Sequence, residues 1–206
     1  MYLFLLSFFV WALVHSLTAS AVLKRWMAER VGERPTAAFY RLGYTAFALL
    51  TFLPVLYFWW VLPTTPLWEV SGVWRWLFWA VGGAAVLAAG YSLLKTQALS
   101  FAGLTQAMDY VAGRPLRRLD APALSHELVV TGLYGWMRHP LYTFSMAFLW
   151  ANPSMNVRSL TMAVAFTIYF IIGSIYEEKR LLAQFGEAYA TYQQRVPRFI
   201  PHVPWR

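Results

Sequence analysis

The sequence predicts an all-α integral membrane protein, a bundle of about five transmembrane helices with a cytoplasmic loop and a C-terminal interfacial helix. Apolar residues make up 59% of the 206 residues and charged residues only 13%, whereas soluble domains carry about 45–50% and about 25%. Long uncharged runs recur along the chain, and basic residues cluster beside them. A bilayer is therefore the expected partner. Its anionic headgroups account for the net charge of +8 without nucleic acid.

Three uncharged runs in the first half are long enough to cross a membrane. They comprise Met1 to Leu23, Leu42 to Trp68 and Trp76 to Leu94, and a span requires about 20 residues. The first run does not resemble a cleavable signal peptide, because Lys24 and Arg25 follow it where small residues would stand. We expect residues 1–206 to form a single membrane domain in which residues 1–95 supply three transmembrane helices.

Two shorter uncharged runs, Leu141 to Val157 and Ser159 to Tyr176, are separated by Arg158. Asn152 to Asn156 combines Asn, Pro and Ser, a composition typical of a turn. The two runs therefore predict a short helical hairpin, which either spans the bilayer or enters it and returns. We expect residues 96–206 to combine the cytoplasmic loop, Thr96 to Met137, with this hairpin and the C-terminal helix.

The basic residues indicate the orientation of the chain. All but two of the 17 lysines and arginines follow the first, third or fifth run, and the exceptions are Arg75 and Arg158. Because cytoplasmic loops are enriched in Lys and Arg, the N-terminus is predicted outside and the C-terminus in the cytoplasm. The chain has no cysteine, which excludes disulfides, thiolate metal sites and a cysteine nucleophile. No metal site is predicted.

The stretch from Gly132 to Tyr142 carries the most specific pattern. Pro140 suits the first turn of a helix because it lacks a backbone donor and has a fixed φ. His139, the residue before a proline, is displaced from helical geometry. A helix that begins there presents free N–H groups that bind anions, and Arg138 adds positive charge. The alternative is that Arg138 and His139 only anchor a helix at the interface.

Glu177 and Glu178 stand where the fifth run ends. Carboxylates are costly there unless they face water, a cation or a polar cavity. Glu177 and Arg180 are three residues apart on a helix and could pair. A carboxylate close to the predicted anion site suits a zwitterionic ligand, and the alternative is a solvated charged turn. The tail from Phe185 to Pro201 is predicted to be an interfacial amphipathic helix.

Several short patterns occur in order between Ser125 and Pro201. They are His126-x-Leu128-Val129, Gly132-x-Tyr134, Arg138-His139-Pro140-x-Tyr142, Glu177-Glu178-x-x-Leu181, Phe185-Gly186-x-x-Tyr189-x-x-Tyr192, Val196-Pro197 and Pro201. In this order they resemble the isoprenylcysteine carboxyl methyltransferase-like family of membrane methyltransferases, which is related to the phospholipid methyltransferases.

The resemblance implies a methyltransferase that binds S-adenosylmethionine on the cytosolic side of the membrane. The implied donor-binding residues are His126, Glu127, Leu128, Val129, Tyr134, His139, Pro140, Leu141, Tyr142 and Glu177. We expect Arg138, His139 and Glu178 to serve the reaction itself. The methionine carboxylate would lie at the Pro140 helix start and the ammonium at Glu177, with Tyr134 or Tyr142 facing the sulfonium.

One departure from the family pattern concerns the acceptor. The prenylcysteine enzymes carry an arginine about one helical turn before the acidic pair, and Gly173 stands at that position here. Trp150 to Asn156 and Phe101 to Gln106 are more similar to the bacterial methanethiol S-methyltransferases. The expected acceptor is therefore a small thiol or a lipophilic molecule, and the expected location is a bacterial inner membrane.

Three other functions remain open at this point. The first is methyl transfer to an isoprenylcysteine or phospholipid acceptor. The second is a non-catalytic membrane factor that supports an oxidoreductase, as in proteins associated with nitric oxide reduction. The third is a reductase related to the membrane sterol reductases, which use a nicotinamide cofactor. The Glu177-Glu178 pair and the His126 segment favour a methyl donor over a nicotinamide.

Overall fold

The computed structural model describes residues 1–116 and 128–201. The elements in chain order are α1 (Tyr2–Thr18), α2 (Ala21–Val31), α3 (Glu33–Val61), β1 (Pro66–Glu69), α4 (Gly72–Lys95), α5 (Ala98–Ala102), α6 (Leu104–Val111), a 3-10 turn (Gly132–Gly135), α7 (Pro140–Trp150), β2 (Ser154–Asn156), α8 (Val157–Phe185) and α9 (Glu187–Arg195). The predicted all-α class is confirmed, with one small two-stranded ribbon added to it. The chain divides into two compact units, Met1–Pro63 with Gln97–Leu124 and Thr64–Thr96 with Ser125–Arg206.

The first unit contains α1, α2, α3, α5 and α6. α1 packs on α3, where Trp11 Nε1 donates to the Ala48 carbonyl at 3.0 Å and His15 Nε2 lies 2.7 Å from the Tyr44 hydroxyl. α2 is bent by 57° from α1. The predicted run from Met1 to Leu23 is therefore not one straight helix.

The corner between α5 and α6 lies very close to the backbone of α3. Gly103 has a φ of +90°, and a Cβ atom there would lie 2.8 Å from the carbonyl carbon of Arg41 and closer still to Leu42 N. Arg41 Nε also donates to the Phe101 carbonyl at 2.8 Å. A positive φ and a backbone contact both require glycine. The segment from Phe101 to Gln106 therefore includes a packing corner of the first unit.

The second unit contains the ribbon that leads into α8. β1 pairs with β2 in antiparallel register, with Pro66 opposite Asn156. Asn156 Oδ1 accepts from the backbone N–H of Ser159 at 3.0 Å and from the Thr64 hydroxyl at 3.1 Å. The first contact is a helix N-cap, which satisfies a donor of the first turn of α8. The predicted turn is thus partly a strand. The second uncharged run, Leu42 to Trp68, is helical only as far as Val61, where α3 ends.

α7 and α8 lie antiparallel in the second unit. His139 contacts Glu178 at one end, and Trp150 Nε1 donates to the Thr167 hydroxyl at 3.0 Å at the other. α7 has 11 residues, so it is about 16 Å long, about half of the hydrocarbon core. α8 continues nine residues beyond the predicted end at Tyr176, to Phe185. The acidic pair therefore lies inside α8 and not at its exit.

Helices α3, α4 and α8 are long and apolar enough to cross a membrane, and the bent pair α1–α2 is a fourth candidate among the described residues. Their apolar side chains are widely exposed, as in Leu49 (66%), Leu87 (76%) and Ile168 (53%). Such surfaces require an apolar surrounding, so the chain is an integral membrane protein. The predicted count of five spans is not confirmed, because α7 is too short to cross alone.

Replacing Gly103 by alanine tests the corner of the first unit. We expect Gly103→Ala to destabilise the protein by about 1–3 kcal/mol, because the residue has a strained φ and its Cβ meets the backbone of α3. Gly43→Ala is the matched control, since a Cβ at Gly43 meets nothing within 4 Å. Thermal denaturation in detergent should show a lower midpoint for Gly103→Ala only. Equal midpoints for the two variants would contradict the close approach.

Candidate active site

The start of α7 has the geometry that its sequence predicts. His139 has φ −124° and ψ 62°, outside the helical region, and Pro140 occupies the first turn. No side chain in the described part of the chain caps this end of the helix. The first-turn N–H groups of a helix have no intrahelical partner and carry partial positive charge. This end of α7 is therefore suited to bind an anion.

Glu178 on α8 is a buried carboxylate that accepts several side-chain hydrogen bonds. Arg138 Nε donates to its Oε1 at 2.8 Å, and His139 Nε2 lies 3.0 Å from the same oxygen. Arg198 donates to both oxygens, from Nε at 3.1 Å and from Nη2 at 2.7 Å. Gln193 Nε2 donates to Oε2 at 3.1 Å. The Glu178 side chain is 5% exposed, so its charge is balanced by these groups and not by water.

The residues after α9 run along the start of α7. Arg138 N donates to the Pro197 carbonyl at 2.9 Å, and His139 N donates to the Arg198 carbonyl at 3.1 Å. The Thr143 hydroxyl adds a bond to the Phe199 carbonyl at 3.2 Å. We call residues 196–199 the C-terminal strap. It brings Arg198 to Glu178 and fixes the backbone on which His139 is carried.

Glu177 faces His139 and not its predicted partner on α8. His139 Nδ1 lies 3.5 Å from Glu177 Oε2, and the Tyr142 side chain is close enough for the Glu177 charge to act on it. Arg180 forms no salt bridge with Glu177 among the described residues, although its charge acts on that carboxylate. The Glu177 side chain is 19% exposed and that of Glu178 is 5% exposed, so Glu177 is the more accessible of the two carboxylates.

An aromatic stack extends from the imidazole into the α7–α8 pair. The rings of His139 and Tyr142 are parallel within 2° at a centroid distance of 5.4 Å, and those of Tyr142 and Phe170 are within 12° at 5.0 Å. Aromatic faces attract cations. This stack lies beside Glu177, so carboxylate and π-faces offer one combined site for positive charge.

Two further tyrosines line the cluster. The Tyr192 hydroxyl donates to the Tyr134 carbonyl at 2.5 Å, which ties α9 to the 3-10 turn. The Tyr189 side chain is buried, and its hydroxyl has no hydrogen-bond partner among the described residues. Buried hydroxyls normally find a partner. Tyr189 therefore leaves a hydrogen-bonding position open near Glu178 and Arg138, whose charges act on it.

The structure brings together Arg138, His139, Tyr142, Glu177 and Glu178. Pro140 and Leu141 form the adjoining helix start, and the ring of Tyr134 is close enough for the Glu177 charge to act on it. Leu128 and Val129 lie in the irregular segment before the 3-10 turn. His126 and Glu127 lie outside the described residues. In residues 1–116 and 128–201, no group of three or more acidic or histidine side chains could hold a metal ion.

Sequence reasoning missed two of the groups that bind Glu178. No sequence pattern points to Gln193, and the tail pattern predicts Arg198 in an interfacial helix. α9 ends at Arg195, and Arg198 lies beyond it in the strap. Pro197 is a signal for this helix end, because the residue before a proline avoids the helical region.

The His139 imidazole has a raised pKa, although burial alone lowers it. Hydrogen bonds to Glu177 and Glu178 and the negative charges of both residues raise the pKa by more than burial lowers it. The ordinary value is 6.5. The two carboxylates therefore favour the protonated form of His139.

This pKa makes the stability of the ligand-free protein depend on pH. The stabilisation from charged His139 is complete below pH 6.5, its ordinary pKa, and is lost as the pH rises through the raised folded-state pKa. We expect the denaturation midpoint of the wild type, relative to His139→Gln, to fall as the pH is raised above 6.5. The measurement is thermal denaturation in detergent across this range. Parallel curves for the two proteins would contradict a charged His139.

Comparison with known proteins places the chain beside membrane methyltransferases. It is 33% identical over 201 residues to methanethiol S-methyltransferase 2 of Bradyrhizobium diazoefficiens, which covers 98% of this chain and 72% of that protein. It is also 33% identical over 200 residues to methanethiol S-methyltransferase of Pseudomonas deceptionensis, covering 94% and 70%.

Similarity to the prenylcysteine enzymes is confined to part of the chain. A protein-S-isoprenylcysteine O-methyltransferase of Schizosaccharomyces pombe is 30% identical over 125 residues, 55% of this chain and 52% of that protein. No family model and no solved structure matches the chain. The resemblance predicted from the motifs is confirmed by these relatives. The chain therefore belongs to the isoprenylcysteine carboxyl methyltransferase-like family of membrane methyltransferases.

Proposed function

We propose that the chain transfers a methyl group from S-adenosylmethionine to a small thiol, with the donor bound at the cytoplasmic end of α7. The observation that carries this proposal is the His139–Glu177–Glu178 cluster at the uncapped start of α7, in a chain of a methyltransferase family. The donor supplies a methyl group already activated on a sulfonium. Positioning can therefore provide much of the catalysis.

The described residues suit the charges of this donor. Glu177 is a partly accessible carboxylate for the ammonium group, and the first turn of α7 offers backbone N–H groups for the carboxylate. Tyr142 and Phe170 present π-faces for a sulfonium. The unpartnered Tyr189 hydroxyl adds a buried polar atom that a ligand or water would satisfy. The donor-binding roles of His126, Glu127, Leu128, Val129 and Tyr134 remain predictions.

Arg138 and Glu178 have contacts that favour positioning over direct participation in the reaction. Arg138 donates to the backbone carbonyls of Gln193 and Val196 as well as to Glu178. Every oxygen of Glu178 is already bonded within the protein. We infer that the two residues hold the imidazole of His139 in place.

The acceptor proposal is based on α8 and on the relatives. Gly173 lies four residues before Glu177, so both lie on one helix face, and a Cβ atom at Gly173 would meet none of the described residues within 4 Å. That position thus offers open space and no cation for a substrate carboxylate. An uncharged thiol is consistent with this face, and relatives that match 94–98% of the chain are named methanethiol S-methyltransferases.

The location and orientation also belong to this proposal. The basic residues favour an N-terminus outside and a C-terminus in the cytoplasm. The relatives that match most of the chain come from bacteria, which supports an inner membrane. The cluster around Glu178 would then face the compartment that contains the methyl donor.

Calorimetry on the purified protein tests the donor site. We expect the wild type to bind S-adenosylmethionine and Glu177→Gln to bind it at least about tenfold more weakly, a loss of about 1.4 kcal/mol. Glu187→Gln is the matched control, because Glu187 is exposed on α9, and its affinity should equal that of the wild type. No binding by the wild type would disprove the donor, and equal affinity in Glu177→Gln would disprove the site.

Product analysis tests the acceptor. Membranes that contain the protein are incubated with methyl-labelled donor and methanethiol, and the products are sorted into volatile, lipid and protein fractions. We expect the label in the volatile fraction, and much less of it there with Glu177→Gln. Label in the lipid or protein fraction would favour a phospholipid or isoprenylcysteine acceptor. No transfer to any fraction would favour the non-catalytic membrane factor.

A further inference from the structure

The bonds around Glu178 determine its protonation state. Its two oxygens accept from Arg138, Arg198 and Gln193 at 2.7–3.1 Å. Guanidinium and amide N–H groups can only donate, so both oxygens must act as acceptors. A proton on either oxygen would face a donor. Glu178 is therefore an ionised carboxylate in this arrangement.

The ionised Glu178 in turn determines which imidazole nitrogen carries a proton. His139 Nε2 lies 3.0 Å from Glu178 Oε1, and a carboxylate can only accept there. Nε2 therefore keeps its proton in both charge states of the ring. The parallel stack on Tyr142 and the backbone bond from His139 N to Arg198 O fix the ring orientation. Only Nδ1 can gain or lose a proton without breaking this arrangement.

Nδ1 is directed to the more accessible of the two carboxylates. It lies 3.5 Å from Glu177 Oε2, so the negative charge of Glu177 favours a proton on Nδ1. A ligand ammonium that pairs with Glu177 would neutralise this charge. An opposite charge nearby favours the protonated imidazole, and its neutralisation releases the proton.

We propose that His139 Nδ1 is the general base that deprotonates the acceptor thiol, and that pairing of Glu177 with the ammonium of the methyl donor frees it for this role. This inference rests on the proposed function and names the base that the reaction requires. A thiol must lose its proton to become a good nucleophile. Glu178, held by Arg138 and Arg198, is the positioning residue for the base.

The proton and the electron pairs balance in this scheme. The S–H bond of the thiol breaks, its proton binds Nδ1, and the electron pair remains on the thiolate sulfur. That pair forms the new sulfur–methyl bond while the sulfonium–methyl bond breaks and returns its electrons to the donor sulfur. The products are two neutral thioether sulfurs and a protonated His139, which passes its proton to water.

The charged and titratable groups around His139 are consistent with proton release when the donor binds. Glu177 and Glu178 contact it from α8 and Tyr142 stacks on it from α7, while Arg198 of the strap binds Glu178. Arg198 is paired with Glu178 throughout, so Glu177 is the partner whose charge a ligand changes. Donor binding should therefore release a proton and become tighter as the pH rises.

Calorimetry in two buffers of different ionisation enthalpy counts this proton. S-adenosylmethionine is titrated into the wild type at pH near 7, without a thiol, so no turnover occurs. We expect release of up to about one proton per donor bound, and none in His139→Gln, whose amide can still donate to Glu178. Binding without proton release, or with uptake, would overturn the base assignment and leave the proposed donor intact. The number of protons that the wild type releases tests the proposal even if the His139→Gln variant does not fold.

Comparing two thiols as acceptors distinguishes a general base from a purely structural role for His139. Ethanethiol needs a base, whereas trifluoroethanethiol ionises more readily because its fluorines withdraw electrons. We expect His139→Gln to lose about 10²-fold or more in kcat/KM for ethanethiol and much less for trifluoroethanethiol. Equal losses for the two thiols, or no loss, would overturn the proposal. If the wild type binds the donor but methylates neither thiol, the proposed thiol acceptor and the proposed general base are both wrong.

Discussion

The buried carboxylate of Glu178 is the interaction on which the candidate site depends. It joins α8 to the start of α7 through Arg138 and His139 and to the C-terminal strap through Arg198. A buried charge is tolerated only when it is paired and hydrogen-bonded. The three segments must therefore assemble together, since removing any one of them leaves charge without a partner in the unit's interior.

This constraint explains why the two adjacent acidic residues differ. Glu178 is surrounded by donors from the protein, and it orients the imidazole and holds the strap. Glu177 is one residue earlier on α8 and therefore points about 100° away around the helix, where it contacts His139 Nδ1 and remains partly accessible. Glu178 thus stabilises the fold, whereas Glu177 remains available to a ligand. The single imidazole between them connects these two roles.

A second feature of this unit is the short helix α7 and the β1–β2 ribbon beyond its end. α7 is about half as long as a span, and the ribbon of β1 and β2 satisfies backbone groups where the helix has ended. Backbone N–H and C=O groups outside helices need such partners wherever water is excluded. Asn156 and Thr64 provide them at the start of α8. The Trp150–Asn156 segment therefore has a structural explanation, independent of any part that it takes in acceptor recognition.

The sequence by itself determined the all-α membrane class, the helix start at Pro140 and the family, because uncharged length, proline stereochemistry and ordered motifs are local properties of the chain. It also predicted His139, Glu177 and Glu178 as candidate site residues, which the structure brings together. Only the tertiary structure decided the partners: Glu177 faces His139 and not Arg180, and Arg198 reaches Glu178 from beyond α9. It also decided that α7 is half a span. Contacts between distant segments depend on how helices end and pack, and no local pattern encodes that.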